Sequence, residues 1–131
     1  MTGVVQQSGG RKRRDLMPFV LIVDGDTRAR AAFAELAREE GFMIVEADGP
    51  EAALRALLGG GISLLVSELQ LDGPVDGLEL IAECHRRWPE LPIVAVSEGV
   101  VPFAGVLPGR AIYVGKPYRS KRLVTLLRAV P

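Results

Sequence analysis

One cysteine and one histidine are all that 131 residues supply of the thiolate and imidazole ligands that transition metals prefer. A lone Cys84 excludes an internal disulfide and a cysteine-rich zinc site. His85, its neighbour, has no second histidine with which to form an HExxH-like pair. Aromatic residues reach only 5%, so the 48% of the chain that is hydrophobic must build its core from Leu, Val and Ala. Neither sign of charge dominates: 16 basic against 16 acidic residues give a net +0, and bulk charge draws the chain to neither nucleic acid nor membrane. No apolar run approaches the roughly 20 residues a membrane helix needs. The opening MTGVVQQSGGRKRRD also lacks the apolar segment of a signal peptide, so a cytoplasmic location is predicted. Gly59-Gly60-Gly61 and Gly73-Pro74 carry no GxGxxG or Walker spacing, no Ser-His-Asp set is identifiable, and no enzymatic activity is predicted.

What is present is an alternation of short apolar runs with amphipathic stretches. Residues 1–17 form a polar tail holding Arg11-Lys12-Arg13-Arg14, read as a solvated arm, with a nucleic-acid or acidic-partner contact as the minor alternative. Residues 18–131 are read as one domain. Within it, strands are expected at 19–23, 42–45, 62–66, 92–96 and 111–114, the second of them short and near an edge. Between them, Ala29, Ala32, Phe33, Leu36 and Ala37 recur at helical spacing, as do Ala53, Leu54, Leu57 and Leu58 after Pro50. Leu78, Ile81 and Trp88 mark the inner side of a third helix, and Leu123, Leu126, Leu127 and Val130 that of a last one. Strands and helices in this order predict a parallel sheet with helices on both sides.

The organising stretch is ISLLVSELQLDGPVDG, residues 62–77. Its apolar run reads as a central strand, with Glu68 just past the end, where parallel α/β sheets place their ligand crevice. Asp72-Gly73-Pro74 reads as a turn, and Asp76-Gly77-Leu78-Glu79 has capping-box spacing. The first strand likewise ends in acidic residues, Asp24-Gly25-Asp26.

These positions, with Ser97, Tyr113 and Lys116-Pro117-Tyr118, resemble the receiver domain of response regulators over residues 19–130. The resemblance implies a flavodoxin-like fold with strand order 2-1-3-4-5 and a role in two-component signalling. By that resemblance Glu68 occupies the phosphoacceptor position, where the family has Asp. Asp24 matches the first acidic residue and Gly25 replaces the second. Ser97 matches the hydroxyl that follows the phosphoryl group, Tyr113 the aromatic switch, and Lys116 the lysine that pairs with the acceptor. The bond to Pro117 is a candidate cis peptide. The family binds Mg²⁺ at its carboxylates; here only Asp24, Glu68 and the Gln70 carbonyl are left to hold it, so weak binding at most is expected. Asp26 is nearby but reads as a helix cap.

Two departures occur together at this pocket. Glu adds a methylene to the acceptor and moves its carboxylate about 1.5 Å outward, and a misplacement of roughly 1 Å can cost 10²-fold in rate. Gly25 removes a metal ligand. The expectation is an outstretched Glu68 paired with Lys116, a fixed imitation of the phosphorylated state. An inert relic of the site and residual phosphoryl acceptance by Glu68 with Mg²⁺ are the competing readings. A third departure is the segment between Ser97 and Lys116, where Gly99, Pro102, Gly105, Pro108 and Gly109 predict a fourth helix reduced or absent. A stand-alone regulator is expected, acting on a histidine kinase, phosphotransfer protein or other regulator, with a homodimer as a further option.

Overall fold

Each of the five apolar runs forms a strand in the computed structural model, which describes residues 19–71, 76–98, 107–109, 111–116, 125, 127 and 128, with Glu98 and Lys116 by their backbone alone. The strands are β1 (Phe19–Val23), β2 (Met43–Ala47), β3 (Ile62–Glu68), β4 (Ile93–Glu98) and β5 (Ile112–Lys116). They pair in parallel in the order β2-β1-β3-β4-β5. Helices α1 (Thr27–Glu39), α2 (Pro50–Leu58) and α3 (Gly77–Arg87) connect them, and residues 125, 127 and 128 are helical as well. Three strands run further than their apolar residues indicate. Glu68 is the last residue of β3 rather than the first beyond it, β4 passes Ser97, and β5 reaches Lys116.

Side chains alternate across a strand, so the sheet divides the core in two. Val20, Ile22, Leu64, Val66, Val94, Val96 and Val114 face Phe33, Ala34 and Ala37 of α1, with Leu127 on the same side. Leu21, Val23, Leu65, Ile93 and Ala95 face Ala53 and Leu57 of α2 and Leu80, Ile81 and Cys84 of α3. Periodicity misassigned some positions. Ala32 is exposed where Ala34 is fully buried, and Leu58, at the last turn of α2, is 67% exposed. In α3 the buried stripe runs through Leu80, Ile81 and Cys84, with Leu78 and Trp88 only flanking it.

Polar side chains set where α1 and α3 start. The Asp26 carboxylate accepts from the N–H groups of Arg28 and Ala29 at 3.0 and 3.2 Å, opening α1. Asp76 and Glu79 form the reciprocal capping box of α3, at 2.9 and 3.4 Å. Arg128, in the C-terminal helical stretch, reaches back to the Glu40 carboxylate and lies 5.9 Å from the Phe42 ring centroid, tying that stretch to the turn after α1. Residues 107–109 form a bend and turn; the rest of the interval expected to lack a helix, 99–106 and 110, lies outside the described residues, as do the tail and Pro117.

Gly77 is the tightest point of the chain. Its N–H donates to the Leu69 carbonyl at 3.0 Å, and a Cβ there would lie 1.8 Å from the Glu68 carbonyl oxygen and 2.7 Å from two Leu69 backbone carbons. No side chain fits without moving the end of β3. Gly77→Ala is therefore expected to destabilise the fold by about 3 kcal/mol or more, the upper end for overpacking, as read by urea denaturation.

Cys84 is fully buried, which removes it from redox chemistry in the folded chain. Burial, reinforced by Glu83 and opposed by Arg87, pushes its thiol up from an ordinary 9.0 to about 11. The unfolded chain therefore loses this proton first as pH rises, and the stabilisation is complete below pH 9 and declines through about pH 11. Urea melts over that window should show the native chain losing about 2–3 kcal/mol more than Cys84→Ala.

Candidate functional site

The carboxyl ends of β1, β3, β4 and β5 bring the sequence-predicted residues to one edge of the sheet. Glu68 ends β3 with 8% of its surface exposed, on the face of Leu64 and Val66 by strand alternation. Its Oε1 accepts from the Gln70 backbone N–H at 3.3 Å. One oxygen of the carboxylate is thus held by its own loop. Gln70 enters the site through its N–H. Ser67, buried just before it, donates its hydroxyl to the Glu68 carbonyl at 3.1 Å and steadies the strand end.

Beyond β1, Asp24 is half-buried and its Oδ1 accepts from the Asp26 N–H at 2.9 Å, closing a tight Asx-type turn across Gly25. Asp26 spends its carboxylate on the α1 N-terminus, as above, and so does not stand in for the residue missing at 25. A Cβ on Gly25 would meet only the Asp48 carbonyl oxygen, at 3.8 Å, so the backbone has room for a side chain that the sequence does not provide. Arg30 was not singled out from the sequence, yet it fixes this loop. It donates to the Asp24 carbonyl at 2.5 Å and to the Glu46 carboxylate at 3.1 Å, and only 13% of its side chain is exposed. Glu46 in turn lies 3.5 Å from Arg38. The sequence signal was a basic residue one turn after an acidic strand end, which reads equally as a solvated helix face.

Ser97 lies on β4 one residue beyond the partner of Glu68, since Glu68 pairs with Val96. Alternation turns it to the side of Ile93 and Ala95, opposite to Glu68. It is fully buried, and among the described residues its hydroxyl has no hydrogen-bond partner. An unmade hydrogen bond of that kind costs about 1–3 kcal/mol. Tyr113 is half-buried against the α2/α3 core. Lys116 closes β5 opposite Glu98, but its side chain is outside the described residues, and the predicted Glu68–Lys116 pair with it.

Mg²⁺ requires several converging oxygen ligands. Among the described residues no three acidic, histidine or cysteine side chains converge to hold a metal ion. The oxygens of Asp24 and Glu68 seen here accept from backbone N–H groups, and Gly25 offers none. A cavity of about 1070 Å³ lies at the other edge of the sheet, lined by Ile62, Trp88, Pro92 and Ile112 among others, where strands begin; it shares nothing with Glu68.

Comparison with known proteins gives one consistent result. The family profile described as the response regulator receiver domain matches residues 20–128. An NtrX-like response regulator of Rickettsia bellii is 30% identical, over 83% of this chain and 24% of that protein. The response regulator FleR of Pseudomonas aeruginosa is 32% identical, over 82% of this chain and 23% of that protein. The chain thus spans about a quarter of the length of the curated relatives it matches. A solved response regulator receiver protein from Sinorhizobium medicae superposes with a TM-score of 0.78 at 22% identity, covering 88% of this chain and 98% of that one, a likeness of fold.

Proposed function

This chain belongs to the response regulator receiver domain family, and from that premise we propose that it serves two-component signalling by protein contact, without transfer of a phosphoryl group to Glu68. The family places it in two-component systems, whose receiver domains work with histidine kinases or other regulators. The finer reading is a pseudo-receiver whose signalling shape is built into the fold. Its partner is a histidine kinase, a phosphotransfer protein or another regulator, met through a surface of the folded domain.

One observation carries this. The Glu68 carboxylate, 8% exposed, is turned onto Gln70 at a pocket where Gly25 supplies no second carboxylate. Phosphoryl transfer to a carboxylate brings like charges together and relies on a cation to neutralise them. It also needs the attacking oxygen in line, where an error of roughly 1 Å can lower the rate 10²-fold. The longer side chain and the missing ligand work against both requirements. A carboxylate held permanently at the strand end supplies in place the anion that modification would otherwise bring.

The competing reading, residual phosphoryl acceptance, draws on Ser97. Its buried hydroxyl, without a partner among the described residues, lies near the end of the strand beside β3 and is a donor that an oxygen anion reaching across the sheet edge would satisfy.

Incubation with a small phosphodonor and Mg²⁺, followed by intact-mass measurement, is expected to leave the mass unchanged. An adduct of about 80 Da that disappears in Glu68→Gln would refute the proposal. A second test asks whether the scaffold is otherwise intact. Because position 25 has room for a side chain, the double change Gly25→Asp, Glu68→Asp is expected to gain Mg²⁺ binding by calorimetry that the native chain lacks. Absence of binding in the double variant would mean the crevice differs by more than these two residues.

A further inference from the structure

Gly115 sits inside β5, two residues after Tyr113 and on the same face. Glycine weakens a strand interior, so its presence asks for a reason. Its backbone is outside the left-handed region, and it is exposed, so neither a turn nor core packing calls for it. What fills the space is Tyr113. A Cβ on Gly115 would lie 3.3 Å from the Tyr113 hydroxyl oxygen, tighter than ordinary contact, and 3.7 and 3.8 Å from ring atoms Cε2 and Cζ, which is ordinary contact. The ring therefore lies along the strand with its hydroxyl over the Gly115 backbone. Across the ladder Gly115 pairs with Ser97, so the aromatic hydroxyl is seated beside the residue that carries the unpartnered buried hydroxyl.

We propose that Gly115 is a positioning residue for Tyr113: the side chain it lacks is the seat of the tyrosine hydroxyl, and this seat holds the ring along β5 whatever the state of Glu68. The inference deepens the fixed-state reading above and rests on it for its meaning in signalling. The steric argument is specific to one atom. Removing the hydroxyl leaves only ordinary contacts at 115, so the penalty of a methyl group there depends on whether residue 113 is Tyr or Phe.

The chain has two tyrosines. In a Tyr118→Phe background Tyr113 is alone, and 3-fluorotyrosine labelling makes its ring visible by ¹⁹F NMR. Gly115→Ala is expected to move that resonance toward the free amino acid and to enlarge its shift between H₂O and D₂O. The same change should lower the melting temperature when residue 113 is Tyr and raise it when 113 is Phe, since Gly→Ala at an unstrained backbone otherwise stabilises. An unmoved resonance, or an equal change in melting temperature in both backgrounds, would overturn the seat. If Gly115→Ala alone does not fold, a folded Gly115→Ala, Tyr113→Phe double variant supports the proposal and an unfolded one overturns it. These readings use unmodified protein. A phosphoryl adduct on Glu68 would remove the fixed-state reading and leave the tyrosine measurements as they stand.

Discussion

The structure depends on one close approach, the Gly77 backbone against the end of β3. Because the Gly77 Cα hydrogens are all that separates the start of α3 from the Glu68 carbonyl, the strand end, the loop and the helix start form a single mechanical unit. The Gly77 N–H to Leu69 hydrogen bond and the Asp76–Glu79 capping box lock that unit from the helix side. Ser67 and the Leu69 N–H, donating to the Val96 carbonyl at 2.8 Å, lock it from the sheet side. Glu68 is held between them, and its orientation is a consequence of packing that begins eight or nine residues later.

Alternation along the strands then decides which polar groups can cooperate. Glu68 follows Leu64 and Val66 toward α1, whereas Ser97 follows Ile93 and Ala95 toward α3. The two sides are joined at the sheet edge through neighbouring strand ends. A carboxylate thus lies on one face and a hydroxyl and aromatic ring on the other. Arg30 adds rigidity on the α1 side by joining the end of β1 to Glu46 of β2. With that clamp, the loop keeps its shape despite the freedom that Gly25 brings.

Much of this was legible in the residues. Apolar runs bounded by Gly and Pro located all five strands, their alternation with amphipathic stretches implied a parallel sheet, and the resemblance to receiver domains supplied the strand order that is observed. Asp26 and Asp76 announced their helices because capping depends on local spacing alone. The errors share a physical origin. Ala32 and Leu58 lie on helical stripes whose ends the sheet does not cover, and coverage is a tertiary property. The reach of Arg30 was illegible because a long side chain chooses among local partners that spacing cannot rank. Family resemblance named the positions of Ser97 and Tyr113 but gave no warning that the serine hydroxyl is unpaired or that Gly115 makes space for the tyrosine.

Arg128 and Glu40 are 88 residues apart in the chain. Joining them closes everything from the end of α1 onward into a loop, and the entropy of that closure must be met before the contact returns anything. A half-exposed ion pair and an aromatic contact return little, so this junction belongs among the last to form during folding. The final helical stretch, seated by Leu127 on the valine-rich face, accordingly acts as a cover fitted once the sheet is complete.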